Sequence, residues 1–325
     1  MDFQNILFNA LNEILSPTTA AYALAAMGLA VHFGYTGLLN FGQAAYMMVG
    51  SYAFALATLS GWPFFGAVAL SIVLSLVLTV ILGIPTLRLR ADYLAIVTIG
   101  AAEILRYVVT TTGMTEITGG AEGLSGFKGT FEALNPIPAG TYDLGTIVIN
   151  EYDLWLRITG WSLVALVALL LFLLMRSPWG RVLKGIREDE DAVRSLGKNV
   201  FVLKMQALAI GGVLGSLAGV LFVLPRAVQP GNYATTLTFF IWTILLLGGA
   251  ATIFGPILGA MTFWVVLSLT QGILFGLVDS GLIGFMNVTQ VGQIRFMLVG
   301  LLLMLLVIYR PQGILGNKKE MSFGV

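Results

Sequence analysis

The sequence predicts an all-α fold: a polytopic transmembrane helical bundle of about 8–10 spans, with broken helices and a charged amphipathic helix at one surface. Three observations carry that expectation. Mean hydropathy is +0.92, with 58% of residues hydrophobic and only 10% charged. Nine apolar runs approach the roughly 20 residues that a helix needs to cross a ~30 Å hydrocarbon core. The charges collect in a few short polar connections instead of spreading evenly. Lipid offers no partner for backbone N–H and C=O groups, so repeated runs of this length fold as helices. The alternating short segments of a transmembrane barrel do not occur in the sequence.

The chain opens with "MDFQNILFNALNEIL", whose only charges are Asp2 and Glu13. It lacks the basic start of a cleavable signal and reads as a short amphipathic or irregular lead-in. The expected spans then follow at 17–33, 40–59, 64–86, 92–112, 154–175, 203–224, 234–251, 255–278 and 292–309. They make one membrane domain of residues 1–325, interrupted by two large polar loops. The loop at 113–153 carries Glu116, Glu122, Glu132, Asp143, Glu151 and Asp153 against Lys128. The loop at 176–204 carries Arg176, Arg181, Lys184, Arg187, Arg194, Lys198 and Lys204. Basic loops stay on the cytoplasmic side, so the second loop is expected inside and the first outside. Nine spans in alternation also place Arg88 and Arg90, and Arg310, Lys318 and Lys319, on the inner side.

Several function classes are excluded. A net charge of +1 leaves no basic face for nucleic acid. With no cysteine and a single histidine, His32, the chain has no thiolate chemistry and no expected metal site. No G-x-S-x-G and no His/Asp/Glu cluster occurs, so an enzyme is not expected. A phosphate-binding loop needs G-x-x-x-x-G-K-[ST]. The Gly197-Lys198 dipeptide is followed by Asn199 and has Ala192 five residues before Gly197, so the motif is absent.

Within the spans, Gly211, Gly215 and Gly219 continue a four-residue step from Ala207. Small residues at that spacing let helix backbones approach, within the chain or against a second one. "GYTGLLNFGQ" sets Gly34, Gly37 and Gly42 beside Asn40 and Gln43, polar and flexible backbone between two apolar runs. Such breaks line cavities in many transporters, and a plain turn is the other reading. His32 just before it reads as packed or interfacial. Asp92, Ile99, Glu103 and Arg106 share one helix face. Glu103 falls about 16 Å along that helix from Asp92, a costly depth for a charge unless it is paired or wet. A structural Glu103–Arg106 pair and a polar wall of a transport route both remain open, with Tyr93 and Thr98 on the same segment. "DYLAIVT" (92–98) and "NYATTLT" (232–238) echo one another at the starts of two oppositely directed spans, which suggests an inverted repeat.

The densest charge lies in "GRVLKGIREDEDAVRSLG" (180–197). Val182, Ile186, Val193 and Leu196 recur at helical spacing. Arg187 with Asp191 and Asp191 with Arg194 make i,i+4 and i,i+3 pairs, and Gly197 supplies a stop. One or two short amphipathic helices are expected at the cytoplasmic surface. Glu188, Asp189, Glu190 and Asp191 in succession suit docking onto a soluble partner.

That string resembles the cytoplasmic loop of permease subunits of the branched-chain amino-acid class of ABC importers, "GRxxxAIREDExAAxxLG". Gly180, Arg181, Ile186, Arg187, Glu188, Asp189, Glu190, Ala192, Leu196 and Gly197 match in place, while Val193 replaces a second alanine. "GYTGLLNFGQAAYMMVGSY" (34–52), "LRLRADYLAIVTIGAAEILR" (87–106), "TGGAEGLSGF" (118–127), "LLGGAATIFGPILGA" (246–260) and "RPQGILG" (310–316) are similar to the same family, in its order. The likeness is to the longer of the two permease types. It implies an importer of two permeases (the second a different chain), two cytoplasmic ATPases that hold ATP and Mg, and an external solute-binding protein. This chain would hold no cofactor. Its 176–204 loop would be the coupling helix and the 113–153 loop the docking face for the binding protein. The setting implied is a bacterial or archaeal inner membrane, and the solute a branched-chain or other hydrophobic amino acid. A urea or short-amide permease and, on physics alone, an ion-coupled secondary transporter are the alternatives.

Overall fold

A computed structural model describes residues 3–143, 148–280, 288–310 and 312–316. Lys318 and Lys319 of the expected inner basic site lie outside the described residues, as does Pro311 of "RPQGILG". The lead-in is α1 (Phe3–Asn12) followed by a 3₁₀ turn. Pro17 cannot continue that helix, and extended Ser16 caps the next by accepting from Thr19 N. The two segments therefore meet at a 46° bend. α2 (Pro17–Leu29) loosens into a π-helical stretch, Ala30–Tyr35. α3 (Gln43–Leu59), α4 (Phe64–Thr86) and α5 (Ala91–Thr110) follow.

The 113–153 loop holds two single turns, α6 (Thr115–Thr118) and α7 (Gly129–Glu132), and a small hairpin that the sequence reading did not anticipate. Its strands β1 (Thr141–Asp143) and β2 (Val148–Asn150) pair antiparallel, Tyr142 opposite Ile149. Asn150 then caps α8 (Glu151–Arg176) through Asp153 N. The Glu151 carboxylate is held below the usual range by the backbone N–H groups of Glu151 and Gly140. α9 (Pro178–Glu188) and α10 (Glu190–Ser195) make the charged loop. α11 (Val200–Val223), α12 (Thr235–Gly248), α13 (Gly255–Asp279) and α14 (Val288–Tyr309) complete the chain.

Each of the nine predicted apolar runs holds a helix. Among the described residues five are individually long and apolar enough to cross a membrane, α4, α5, α8, α11 and α13; the bent α1–α2 pair makes a sixth. α3, α12 and α14 fill the remaining three places. Several boundaries differ from the sequence reading by three or four residues, as where α8, α11 and α14 start early, and two differences have a clear local cause. The second run begins at Gln43, not residue 40, because Gly37 (φ +74°) turns the chain and Asn40 bonds ahead to Gly42 N. α12 has 14 residues, about 21 Å at 1.5 Å per residue. It stops where Gly249 takes φ +116°, and the carbonyls of Leu247 and Gly248 accept from Ile314 and Leu315 N. That contact gives the "GILG" string a structural use: it closes the end of a half-length helix.

α11 is the central post, packed on α2, α3 and α4. Gly211 faces Gly28 and His32 of the α2 segment, Gly215 faces Gln43 and Tyr46, and Gly219 faces the Met47 carbonyl. The glycine stripe therefore packs inside the subunit. A Cβ on Gly219 would sit 2.0 Å from Met47 O, whereas one on Gly100 of α5 would meet nothing within 4 Å. Gly219→Ala is expected to lower stability by about 1–3 kcal/mol through overpacking. Gly100→Ala should be neutral or gain up to ~1 kcal/mol of helix propensity. Thermal unfolding of the two variants in detergent checks the contrast.

Candidate functional site

Three groups of polar residues stand out against this apolar frame, and the first is the charged loop. Ser177 is extended and Pro178 starts α9, which turns back so sharply that a Cβ on Gly180 would sit 2.4 Å from Met175 O. Leu183 and Ile186 face inward with Val193 of α10, and Val182 packs beside them. Leu196 does not join that face; it is 78% exposed. Leu196 stands one residue past the end of α10, and the loop itself breaks earlier, at Asp189 (φ −153°), whose carboxylate caps α10 by accepting from Asp191 N and Ala192 N at 3.0 Å. The same break removes the expected Arg187–Asp191 pair, because the two residues no longer lie on one helix. The Asp191–Arg194 pair does form, at 3.0 Å. Arg194 also meets Glu190 at 2.9 Å, and Lys204 of α11 holds the other Glu190 oxygen. Gly197 (φ +75°) ends α10. Arg181, Glu188, Asp189, Asp191 and Gly197 remain exposed.

Freed from Asp191, Arg187 turns inward. Its Nη1 donates to the Gly34 carbonyl at 2.5 Å, and its stem lies along Gly37, 3.3 Å from where a Cβ there would be. Gly34 in turn lies so close to Ala250 that a Cβ would fall 1.7 Å from the Ala250 carbonyl oxygen. The charged loop, the end of the α2 segment and the end of α12 thus meet at one point.

The second group lies directly behind it. His32 Nε2 is 3.1 Å from the Leu208 carbonyl, which can only accept, so Nε2 carries the proton. Nδ1 then accepts from Asn40 Nδ2 at 3.0 Å, and Asn40 Oδ1 accepts from Gly42 N at 2.8 Å. Gln43 Nε2 donates to both Ala25 O and Gly211 O at 3.2 Å. The hydroxyl of Thr98 accepts from Phe41 N at 3.0 Å. His32, Asn40, Gln43 and Thr98 are all buried. They knit α2, α3, α5 and α11 together across a stretch with no regular helix, so their polar atoms, Gln43 Oε1 apart, are engaged within the subunit.

The third group is on α5. Arg106 Nη2 and Nε contact Glu103 Oε2 at 2.7 and 2.8 Å. Glu103 Oε1 accepts from Thr235 N and from the Thr235 hydroxyl, at 3.0 and 2.5 Å. The carboxylate therefore caps the N-terminus of α12 as well as pairing with Arg106. Asp92 and Tyr93 stand apart at the exposed start of α5. The echo between 92–98 and 232–238 meets different surroundings: Tyr93 is exposed, whereas Tyr233 is buried in a 3₁₀ turn before α12. Thr235, Lys204 and the Gly34 carbonyl were not among the sequence candidates. Two are backbone or neutral groups without a periodic signal; Lys204 stood in the loop but its partner is 14 residues away.

A polytopic helical bundle with an amphipathic charged loop tied to its broken helices is a membrane transport subunit in form. The comparisons make the class specific. The sequence profile of the family "Branched-chain amino acid transport system / permease component" matches residues 13–308. The "High-affinity branched-chain amino acid transport system permease protein LivM" of Salmonella typhimurium is 33% identical over 313 residues, covering 93% of this chain and 69% of that protein. The "Probable branched-chain amino acid transport permease protein LivM" of Methanocaldococcus jannaschii is 27% identical over 337 residues, covering 91% of each. The "Autoinducer 2 import system permease protein LsrC" of Photorhabdus laumondii is 30% identical over 115 residues, covering 33% of this chain and 34% of that protein. No solved structure matches. The chain belongs to the branched-chain amino acid transport system permease family. It is a multi-pass membrane protein and a permease subunit of an ATP-binding-cassette importer.

Because Glu103 serves both Arg106 and Thr235, the two members of the pair are unequal. Glu103→Ala is expected to cost about 1–3 kcal/mol by orphaning three partner groups. Arg106→Ala should cost less, since Glu103 keeps its α12 bonds. The double variant should recover only part of the Glu103→Ala loss. Unfolding midpoints of the three variants check the order, and full recovery in the double variant would reduce the site to a simple ion pair.

Proposed function

We propose that this chain forms one half of the translocation path for a branched-chain or other hydrophobic amino acid. In this reading its 176–204 loop is the coupling element that docks on a cytoplasmic ATPase. The observation that carries the proposal is the bond from Arg187 to the Gly34 carbonyl. It ties the exposed loop to the point where the α2 segment, the Asn40–Gln43 connection and the end of α12 converge. A push on the loop thereby reaches the broken part of the bundle directly. The ATPases hold ATP and Mg, consistent with the lack of a phosphate-binding loop in this sequence. The partners are two such ATPases on the cytoplasmic side, a second and different permease beside this chain in the inner cell membrane, and an external binding protein seated on the acidic 113–153 loop. The relatives' names, which specify branched-chain amino acids, support the solute class.

The path is assigned to α5, little of which is buried within this chain. Asp92, Tyr93, Glu103 and Arg106 would give it a polar wall, and the adjacent opposite charges of Glu103 and Arg106 suit a zwitterionic solute. Asn40, Gly42, Gln43 and Thr98 support that wall as the joint behind it, since their hydrogen bonds are taken up inside the subunit.

Arg187→Gln tests the link. Losing a charged hydrogen bond to the backbone, ~1.5–3 kcal/mol, should lower uptake roughly tenfold or more while the ATPase still co-purifies. Wild-type uptake by that variant would remove the link from the mechanism. Glu188 and Glu190 separate docking from folding. Glu188, with its side chain 73% exposed and 3.6 Å from Arg187, faces outward, so Glu188→Lys should weaken co-purification of the ATPase and lower stability by no more than the ~1 kcal/mol of an exposed pair. Glu190→Lys should lower the midpoint, because Glu190 holds Arg194 and Lys204.

A further inference from the structure

A second site lies at the same end of the bundle, beside the coupling loop. Between the α4–α5 connection and the start of α11 is a cavity of about 670 Å³. Arg88 and Arg90 enter it from the connection, Arg194 from α10, and Lys198 and Lys204 from either side of the α11 N-terminus. Glu190 is the one acidic residue of its lining, and both its oxygens are already taken by Arg194 and Lys204. Asp92, nearby in sequence, does not line it. Among the described residues the side chains of Arg88, Arg90 and Lys198 have no hydrogen-bond or ion-pair partner. Three uncompensated cations converge on one half-open cavity.

A helix terminus strengthens the field. α5 begins one residue after Arg90, whose side chain caps nothing, and α11 contributes its first residues, Val200 and Phe201, to the wall. The α11 end presents the positive pole of a long helix to the space, whereas α5 carries Asp92 in its first turn and lines it only through the preceding Arg90. The rest of the lining is apolar, Leu87, Leu89, Val200 and Phe201. Beneath it α4 packs on α11 at Gly83 and Met205, and Ile81, Ile84, Leu89 and Val202 are left exposed. The arrangement is a cationic cup over an exposed apolar strip.

We propose that this cup binds the phosphate of an anionic phospholipid of the cytoplasmic leaflet, of the phosphatidylglycerol or cardiolipin class, with acyl chains along α4 and the first turns of α11. An acidic peptide would satisfy the cations but leave the strip uncovered. A lipid satisfies both, and basic pockets between helices on this side of a membrane suit such headgroups. The site borders α10 through Arg194 and Glu190, so the bound lipid stands against the coupling element.

The test uses the assembled importer in detergent, incubated with equal concentrations of phosphatidylglycerol and phosphatidylcholine and read by native mass spectrometry with release of individual subunits. Phosphatidylglycerol should stay on this chain in preference to phosphatidylcholine. The double variant Arg88→Gln, Arg90→Gln should lose about thirtyfold in phosphatidylglycerol affinity, with phosphatidylcholine unaffected. Equal retention of both lipids by the wild type, or undiminished phosphatidylglycerol on the double variant, overturns the proposal. So does displacement of the lipid by millimolar inorganic phosphate, which would make this a free-anion site. Loss of the ATPase from the double variant with lipid binding intact would assign the cup to that partner instead. Unfolding midpoints in phosphatidylcholine alone verify folding, and Lys198→Gln repeats the test should the double variant fail to fold. Lipid binding is read independently of uptake, so its failure leaves the coupling reading untouched.

Discussion

The bundle depends on the backbone-to-backbone contact of α11 with the α2 segment and α3. In lipid no hydrophobic gain drives one apolar helix onto another, so close packing and internal hydrogen bonds must hold the helices together. Gly28 and Gly211 meet backbone to backbone, and toward α3 the approach is repeated by Gly50 against Ser216 and by Gly219 against the Met47 carbonyl. Only at that distance can Gln43 reach the carbonyls of Ala25 and Gly211 together, and His32 the carbonyl of Leu208. Backbone of the π-helical stretch and the open turn at 36–42 is met by other side chains: the Thr36 hydroxyl donates to Val31 O, Thr98 accepts from Phe41 N, and Asn40 accepts from Gly42 N. Small residues and buried polar side chains are thus two halves of one device: the first permits the approach, the second makes irregular backbone tolerable.

Irregular backbone at that place has a consequence for motion. A continuous helix transmits displacement along its axis, whereas a broken one offers a joint. The joint here is held from the charged loop by Arg187 and lies against the α12 end through Gly34 and Ala250. α12 is itself held at both ends by other parts of the chain. Glu103 caps its start through Thr235, and residues 314 and 315 close its last carbonyls. A half-length helix clamped in this way moves as a unit with whatever holds it. The loop, the joint, α12 and the Glu103–Arg106 pair form one contiguous set of contacts from the surface to the face proposed for the solute.

Much of this was legible in the residues. Lipid enforces helices on long apolar runs, so nine runs became nine helices, and Gly197 and Gly249 stop theirs as the chemistry of glycine requires. The Glu103–Arg106 and Asp191–Arg194 pairs were readable because partners three apart on a helix face each other whatever surrounds them. The Arg187–Asp191 pair failed for an equally local reason that spacing alone hides: Asp189 can serve as an N-cap, and a cap in the middle of a pattern splits one helix into two. Leu196 turned outward because α10 ends one residue before it.

What the sequence by itself determined, then, is the class of fold, the positions of the helices, and the resemblance that carries the family. Periodicity, length and local pairing depend only on neighbours along the chain. What only the tertiary structure decided is which long-range partner each polar group finds: His32 with Leu208, Gln43 with Gly211, Arg187 with Gly34, Glu103 with Thr235 and Lys204 with Glu190. Most of these partners are backbone atoms, which every residue possesses alike and no sequence pattern can single out. Their identity follows from which helix surfaces come close enough to touch, and that is settled by packing.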